Sequence, residues 1–302
     1  LAVMRKSRRF GIQALAAVAG VDLREVRAED LGYKFGPRLN AAGRLEHARY
    51  ALNLLTASTQ SAAKESAEYL QALNTQRQAD TKKIQAAARQ QALERLDDRV
   101  LVLSDVSWSH GIVGLVASRI SEEFCRPAIL LQRTGKVAKG SARSFAGISI
   151  IDALQRHSGI LEKFGGHKAA AGMTLRVEAI PALREGLDAY IAQLDDTVWT
   201  REEKVDAWLQ PVFTSLEGYA ELERLEPTGQ GHPGVRFVLD AKVSSVRPVG
   251  SGQAHYQMLL KDEAADGHEY KVIAFGAAER CPELAIGDAI RAIVRLSNSV
   301  WK

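Results

Sequence analysis

The chain has 302 residues, 46% of them hydrophobic and 25% charged, which is the composition of a globular protein with two or three domains. Its longest apolar runs have the length of strands, which excludes a transmembrane helix. The two cysteines, Cys125 and Cys281, lack metal-type spacing and are too few for a disulfide scaffold, so they favour a reducing, cytoplasmic location.

The first third of the chain is predicted to be helical. Residues 1–58 form a helix-rich region that is interrupted by several glycines and one Gly-Pro pair. Residues 59–97 contain no glycine or proline and are rich in Ala, Gln, Lys, Glu and Arg, which favour helix. Because apolar residues are sparse there, we expect a long, mostly solvated helix that joins two domains. A coiled coil is the alternative, although no heptad repeat is sustained.

Residues 98–195 predict an α/β domain, because strand patterns alternate with helix patterns. In chain order we expect a strand at 99–103, a helix at 112–124, a strand at 128–131, a strand or hairpin at 135–144, a helix at 148–157, a turn at Gly165-Gly166, a strand at 171–176 and a helix at 181–194.

Residues 196–302 are β-rich and fit a small barrel of the OB type, with a short sandwich as the alternative. The chain begins inside a helical pattern, and residues 288–302 are typical of a strand in progress, so we expect a longer protein cut at both ends. The five predicted strands of this region span 235–239, 242–247, 256–260, 270–275 and 289–296.

Positive charge is concentrated locally although the net charge is only +4. Residues 124–151 contain no acidic residue and residues 31–45 contain none, while both stretches carry several lysines and arginines. Such stretches suit a polyanion, and a solvated basic face is an equally good interpretation of charge alone.

Two stretches combine glycines with residues that could bind phosphate. The first, 36–44, lies in the helical region, and the second, 108–119, lies near the start of the α/β domain. In 36–44 (GPRLNAAGR), two glycines and a proline predict an irregular backbone from which Arg38 and Arg44 project. The alternative is a helix-breaking loop whose arginines pair with nearby acids. In 108–119 (WSHGIVGLVASR), a glycine lies at the start of a predicted helix. The amino terminus of a helix is a favourable binding site for anions. Gly114 could equally serve close helix packing, and His110 is more typical of an ordinary loop histidine.

Two further stretches lie close together downstream. If 139–144 (KGSARS) is a strand, Ser141 and Arg143 point to the same face and together can hold a terminal phosphate, with a polar strand edge as the alternative. In 164–173 (FGGHKAAAGM), the glycines at 165 and 166 allow a ligand backbone to approach, and His167 can donate to a phosphate. A Gly-Gly-His motif alone is weak evidence for a phosphate site, but its combination with the stretch 139–144 is much stronger evidence.

These four stretches, in this order and spacing, resemble the RecJ family of the DHH phosphoesterase superfamily. The resemblance continues through 225–233 (LEPTGQGHP), which is similar to the segment leading into the family's OB-type domain, and through 256–260 and 272–276, which resemble its following strands. Two motifs depart from the family pattern: the histidine of WSHG is displaced by one, so no role is transferred to His110, and Thr228 and His232 replace a Phe and an Asn.

The resemblance implies a 5′-to-3′ exonuclease of recombination and repair that acts on single-stranded DNA with two Mn²⁺ or Mg²⁺ ions. The family's metal ligands lie in an amino-terminal domain with an Asp-His-His triplet, which this sequence lacks, so no metal ligand is assigned here. Relatives work with helicases and single-strand-binding protein. The implied organisation is a remnant of the DHH domain at 1–58, an interdomain helix at 59–97, a DHH-associated domain at 98–195 and a truncated OB-like domain at 196–302.

The resemblance also implies roles for single residues. Ser141 and Arg143 would hold the 5′ phosphate, and the Gly-Gly-His motif would contact DNA near the scissile phosphate, with His167 as the candidate catalytic residue. The phosphate-binding set is completed from the same motifs by Arg44, Arg38, Asn40, Gly165, Gly166 and Lys168.

Three residues of the OB-like region, His255, Tyr256 and Tyr270, are candidates for binding the DNA strand, with core packing as the stronger alternative for the tyrosines.

The competing functions are a catalytically silent nucleic-acid-binding accessory protein and a DHH-type oligonucleotide phosphodiesterase. The β-rich region after residue 200 favours the exonuclease.

Overall fold

A computed structural model describes residues 1–298 and divides the chain into two compact units, residues 1–202 and residues from 203 onward. The first unit begins with helices that pack around one apolar cluster. The helices of this part are α1 (Ala2–Arg5), α2 (Phe10–Ala19), α3 (Gly36–Leu45), α4 (Arg49–Thr56) and α5 (Gln60–Leu93).

The stretch 36–44 is helical, so the prediction of an irregular backbone there was wrong. Pro37 occupies the first turn of α3, where a missing N–H costs nothing. A π-helical turn, Asp30–Phe35, leads directly into α3. Gly43 is therefore a helical residue and not a helix breaker.

The long helix α5 is mostly exposed, as expected, but one of its faces is buried. Thr59 caps it by accepting a hydrogen bond from the backbone N–H of Ala62 at 3.3 Å. A stripe along one face is buried because small alanines let neighbouring helices approach closely, and this stripe was overlooked when only large apolar residues were counted. Its buried members are Ala63, Ala67, Leu70, Leu73, Asn74, Thr81, Ile84, Ala88 and Ala92.

The α/β part contains a mixed five-stranded sheet. Its strands are β1 (Leu101–Asp105), β2 (Ala128–Thr134), β3 (Val137–Arg143), β4 (Leu161–His167) and β5 (Ala170–Arg176). They are arranged in the order β1-β2-β3-β5-β4. The first two strands are parallel and are connected through α6 (His110–Phe124), and the other neighbours are antiparallel.

The prediction of a turn at Gly165-Gly166 was wrong, because both glycines lie inside β4. The turn follows at Lys168 and Ala169. At Gly166 (φ +155°) an added Cβ would lie 2.3 Å from the carbonyl oxygen of Ala170, so glycine is needed there for close strand pairing. The stretch 135–144, predicted as a strand or hairpin, contains the single strand β3, which forms a hairpin with β2 across a turn at Gly135 (φ +58°).

The two faces of this sheet are covered differently. Helices α7 (Ile150–Arg156) and α8 (Ile180–Ile191) bury one face in a core that includes residues of β2, β3 and β5. On the opposite face, α6 and the end of α5 pack over β1 and β2. The part of that face formed by β5 and β4 carries exposed residues, including Gly172 and Gly165.

The second unit is a β-rich domain. Its elements are β6 (Ala207–Trp208), α9 (Leu216–Glu223), β7 (Phe237–Val249), β8 (His255–Asp262), β9 (His268–Ala274), α10 (Ala277–Arg280) and β10 (Ala289–Val294). The strands follow the order β10-β7-β8-β9, and the short β6 pairs with β7. The predicted strands 235–239 and 242–247 are one continuous strand, with an irregularity after Val243. The predicted continuation of the last strand to residue 302 lies partly outside the described residues.

Candidate nucleic-acid interface

The strand register brings the third and fourth sequence motifs onto one face of the sheet. Arg143 of β3 is paired with Ala170 of β5, which is paired with His167 of β4. Directly paired residues point to the same side of a sheet, so Arg143 and His167 share a face and lie about 10 Å apart across two strand spacings.

The next row of the same face is built from small residues. Ser141 is paired with Gly172, and Gly172 with Gly165. A Cβ added at Gly165 would meet no atom within 4 Å, so the fold itself does not require glycine there. The two rows form a surface, which we call the platform, in which Ser141 and Arg143 border one side, His167 borders the other, and small residues lie between them.

Two hydrogen-bond donors converge at the β3 side of the platform. Arg143 Nε donates to Ser118 Oγ at 3.0 Å and Arg143 Nη1 donates to the carbonyl of Ala142 at 2.8 Å. Within residues 1–298, Arg143 Nη2 and Ser141 Oγ have no hydrogen-bond partner. Burial, and then the charge of Arg44, lowers the pKa of Arg143, although arginine stays protonated. Both groups are therefore available to an anion.

Residue 114 of α6 lies directly beside these two donors and has no side chain. A Cβ at Gly114 would lie 3.0 Å from Ser141 Oγ and 3.1 Å from Arg143 Nη2. Ser118, one turn further along α6, holds the guanidinium from the other side. Helix α6 thus borders the platform, and its glycine places no side chain against the donors.

A cluster of further arginines lies along α6. Arg44 Nη1 donates to the carbonyl of Gly111 at 3.2 Å. Arg119 Nη1 donates to Gln85 Oε1 at 2.7 Å, and Arg77 Nη2 donates to Asn74 Oδ1 at 3.0 Å.

Arg77 and Arg119 were missed from the sequence. None of the guanidinium groups of Arg44, Arg77, Arg119 and Arg143 forms an ion pair within 4 Å among the described part of the chain. The sequence feature that could have indicated Arg77 is its position on α5, three residues after Asn74 and four before Thr81, which places it on the buried face of the helix.

The remaining predicted ligands lie in different environments. Arg38 is half-buried and engaged within the helices, because its Nε donates to Gln71 Oε1 and its Nη1 to the carbonyl of Lys34, both at 2.7 Å. Asn40 is exposed, one turn before Arg44 on α3. Lys168 is exposed in the turn that joins β4 to β5, beside His167. Arg38 is thus the candidate with the clearest structural role.

The second motif supplies the start of α6. Trp108 is fully buried in the core, and Ser109 is the N-cap residue without a side-chain capping bond. A Cβ at Gly111 would lie 1.9 Å from the carbonyl oxygen of Arg44, so this glycine permits close contact between α3 and α6. The motif therefore positions Arg44 against α6.

The predicted DNA-binding residues of the second unit lie in different environments. Tyr256 and Tyr270 are 8% and 5% exposed and belong to the core, whereas His255 Nδ1 accepts a hydrogen bond from the backbone N–H of Gly276 at 2.9 Å. Two aromatic residues that the sequence did not single out, Trp208 and Phe275, are 54% and 71% exposed.

Within residues 1–298, no group of three or more His, Cys, Asp or Glu side chains is arranged to hold a metal ion. The described residues therefore do not fit the metal site of a two-metal nuclease. None of the described helices is both long and apolar enough to span a membrane.

Comparison with domain families gives two matches. The DHHA1 domain matches residues 97–193, and the RecJ OB domain matches residues 205–302. Together with the observed sheets, these matches confirm the predicted fold class, an α/β DHH-associated domain followed by an OB-like domain.

Curated relatives match along almost the whole chain. The chain is 32% identical to the single-stranded-DNA-specific exonuclease RecJ of Bacillus subtilis and 33% identical to that of Thermus thermophilus, over 99% and 96% of its length. It spans only 38% and 40% of these two relatives. The crystal structure of RecJ from Thermus thermophilus in complex with Mn²⁺ has a TM-score of 0.82 at 29% identity, covering 99% of this chain and 43% of that one. The corresponding complex with Mg²⁺ has a TM-score of 0.80 and covers 99% of this chain and 45% of that one.

Proposed function

The chain belongs to the RecJ family, and from this premise we propose that it grips the 5′-phosphorylated end of single-stranded DNA for 5′-to-3′ exonucleolytic hydrolysis. The observation that carries the proposal is the pair of unengaged donors, Ser141 Oγ and Arg143 Nη2, beside Gly114. A terminal phosphate has three non-bridging oxygens and more negative charge, whereas an internucleotide phosphate has two, so the terminal group gains most from a hydroxyl and a guanidinium together.

The rest of the platform fits a strand that enters from this end. Gly165 and Gly172 leave the surface open, so a sugar-phosphate chain can lie close to the sheet. His167 is exposed about 10 Å from β3, across two strand spacings. We propose that it donates a hydrogen bond to the scissile phosphate, with Lys168 beside it. Gly166 supports β4 and keeps His167 on this face.

Metal chemistry is proposed for the whole exonuclease and not for these residues. The Thermus thermophilus structures are complexes with Mn²⁺ and Mg²⁺, and such ions clamp attacking and leaving oxygens in phosphodiester hydrolysis. Because residues 1–298 contain no metal-binding cluster, we propose that the ions are held elsewhere and that this chain supplies strand binding.

The proposed division of labour follows the sequence boundaries. Residues 1–58 belong to the DHH-type domain, 59–97 form the connecting helix, 98–195 form the DHH-associated domain, and 196–302 form the OB-like domain. Exposed Trp208 and Phe275 suit stacking with bases further along the strand. A cytoplasmic location, a role in recombination and repair, and cooperation with helicases and single-strand-binding protein complete the proposal.

Two other functions can be distinguished from the proposed exonuclease. An oligonucleotide phosphodiesterase of the same superfamily is disfavoured because the RecJ OB domain matches residues 205–302. An accessory protein without catalysis would bind DNA in the same way as this chain, and the metal ligands of the whole protein separate it from an exonuclease.

The proposal is tested by binding. The 302-residue chain is titrated into fluorescent oligodeoxythymidylates that end in a 5′ phosphate, a 5′ hydroxyl or a 3′ phosphate. We expect tightest binding to the 5′-phosphorylated strand, and we expect Ser141→Ala and Arg143→Gln to reduce this preference. Equal affinity of the unchanged chain for all three ends would contradict the proposal.

A further inference from the structure

An arginine, Arg77, lies on the buried face of α5. Arg77 lies between Asn74 and Thr81, both of which are 2% exposed. Arg77 itself is half-buried: its Nη2 donates to the neutral Asn74 Oδ1 at 3.0 Å, whereas its Nε is shielded from solvent and has no hydrogen-bond partner. A shielded charged group is costly unless it meets an opposite charge. The position therefore requires an explanation beyond packing.

The described residues provide no carboxylate for this charge. Asp80, three residues further along α5, forms no ion pair with Arg77 within 4 Å in the part of the chain that the structure covers. Burial lowers the pKa of Arg77, and the charges of Arg44 and Arg119 lower it further. Like charges that gather without a counter-charge create an anion site.

The contacts between α5 and α6 locate these arginines. The two helices run parallel with a constant offset, because Gln85 contacts Arg119 at 2.7 Å and Arg89 contacts Glu123 at 2.5 Å. The same offset places Arg77 opposite Gly111.

The carbonyl of Gly111 accepts the hydrogen bond from Arg44. Gly111 precedes Gly114 by about 4.5 Å along the helix axis. Arg44 and Arg77 thus lie about one helical turn from the proposed 5′-phosphate site, and Arg119 lies further along the same seam between α5 and α6.

We propose that Arg77 and Arg119, together with Arg44, bind an internucleotide phosphate of the single strand whose 5′ end is held by Ser141 and Arg143. The proposal rests on the proposed function and adds a second phosphate subsite on the α5–α6 seam. Guanidinium forks bind a phosphate through paired hydrogen bonds, and such an anion relieves the repulsion among the three arginines. An internucleotide phosphate is present whichever group ends the strand, so this subsite does not distinguish 5′ ends.

The test measures binding of the full 302-residue chain to 5′-phosphorylated and 5′-hydroxyl oligodeoxythymidylates across a salt series. For Arg77→Gln we expect affinity to fall about ten-fold for both strands equally. We expect the slope of log affinity against log salt to become smaller by about 0.7, the value for one lost phosphate contact on a single strand. Arg77→Lys should retain the slope because it keeps the charge.

Arg89→Gln is the matched control, since Arg89 lies on the same helix and is paired with Glu123; it should leave affinity and slope unchanged. If Arg77→Gln does not fold, exposed Arg119→Gln serves the same purpose and should also reduce the slope.

An unchanged slope for Arg77→Gln and Arg119→Gln, in a chain that still prefers 5′-phosphorylated strands, overturns this subsite alone. Loss of that preference in the unchanged chain overturns the proposed function instead.

Discussion

Substitution of Gly114 by alanine should separate folding from end recognition. Gly114 lies inside α6, where glycine is less favourable than alanine by about 1 kcal/mol. The new Cβ would lie 3.0 Å from Ser141 Oγ and 3.1 Å from Arg143 Nη2, both of which are ends of side chains that can move. We therefore expect the free energy of unfolding to stay equal or to rise by up to about 1 kcal/mol, which corresponds to roughly 2–4 °C in Tm.

The same methyl group occupies the space beside the two donors and pushes the guanidinium away from it. Loss of one hydrogen bond to a charged group costs about 1.5–3 kcal/mol, which is roughly ten-fold to a hundred-fold in affinity. We expect this loss for 5′-phosphorylated strands and a much smaller one for 5′-hydroxyl strands. Thermal unfolding and fluorescence anisotropy measure the two effects on one sample.

Gly111→Ala provides the contrast, because its Cβ would collide with the backbone carbonyl of Arg44 at 1.9 Å and the two helices must separate. It should lower Tm. A Gly114→Ala chain that keeps its full preference for a 5′ phosphate would refute the placement of the phosphate beside Gly114.

The adjacent glycines of β4 should behave oppositely. Gly166→Ala should lower Tm because its Cβ would lie 2.3 Å from the Ala170 carbonyl oxygen, whereas Gly165→Ala should fold normally and bind single strands more weakly; equal Tm values would contradict this. Arg38→Ala should cost about 1–2 kcal/mol of stability through two lost hydrogen bonds and leave the salt slope of DNA binding unchanged; a smaller slope would make Arg38 a phosphate ligand. The 302-residue chain with Mn²⁺ should bind single strands without digesting them, because its described residues hold no metal cluster; metal-dependent release of nucleotides in a gel assay would disprove this.

The sequence predicted the β3 side of the platform well. Strand alternation was sufficient to place Ser141 and Arg143 on one face, because a period of two is a local property. The pairing of β3 with β4 through β5 was not predictable, since strand order depends on packing between distant segments. The sequence therefore suggested that the Gly-Gly-His motif lies near Ser141 without showing how.

The errors have specific causes. The glycines and proline of 36–44 suggested a break, but Pro37 is compatible with a first helical turn and α3 packs closely against α6 at Gly111. Gly165-Gly166 suggested a turn, although glycine also permits close strand pairing. Arg77 and Arg119 were missed because their proximity to Arg44 depends on the parallel packing of α5 and α6, which local patterns do not reveal.

The most direct test is a crystal structure of the 302-residue chain with a short 5′-phosphorylated oligodeoxythymidylate. We predict that the terminal phosphate lies within hydrogen-bond distance of Ser141 Oγ and the Arg143 guanidinium, with the strand crossing Gly172 and Gly165 toward His167. A terminal phosphate bound elsewhere, or a strand that leaves the β3–β5–β4 face unoccupied, would contradict the proposed function.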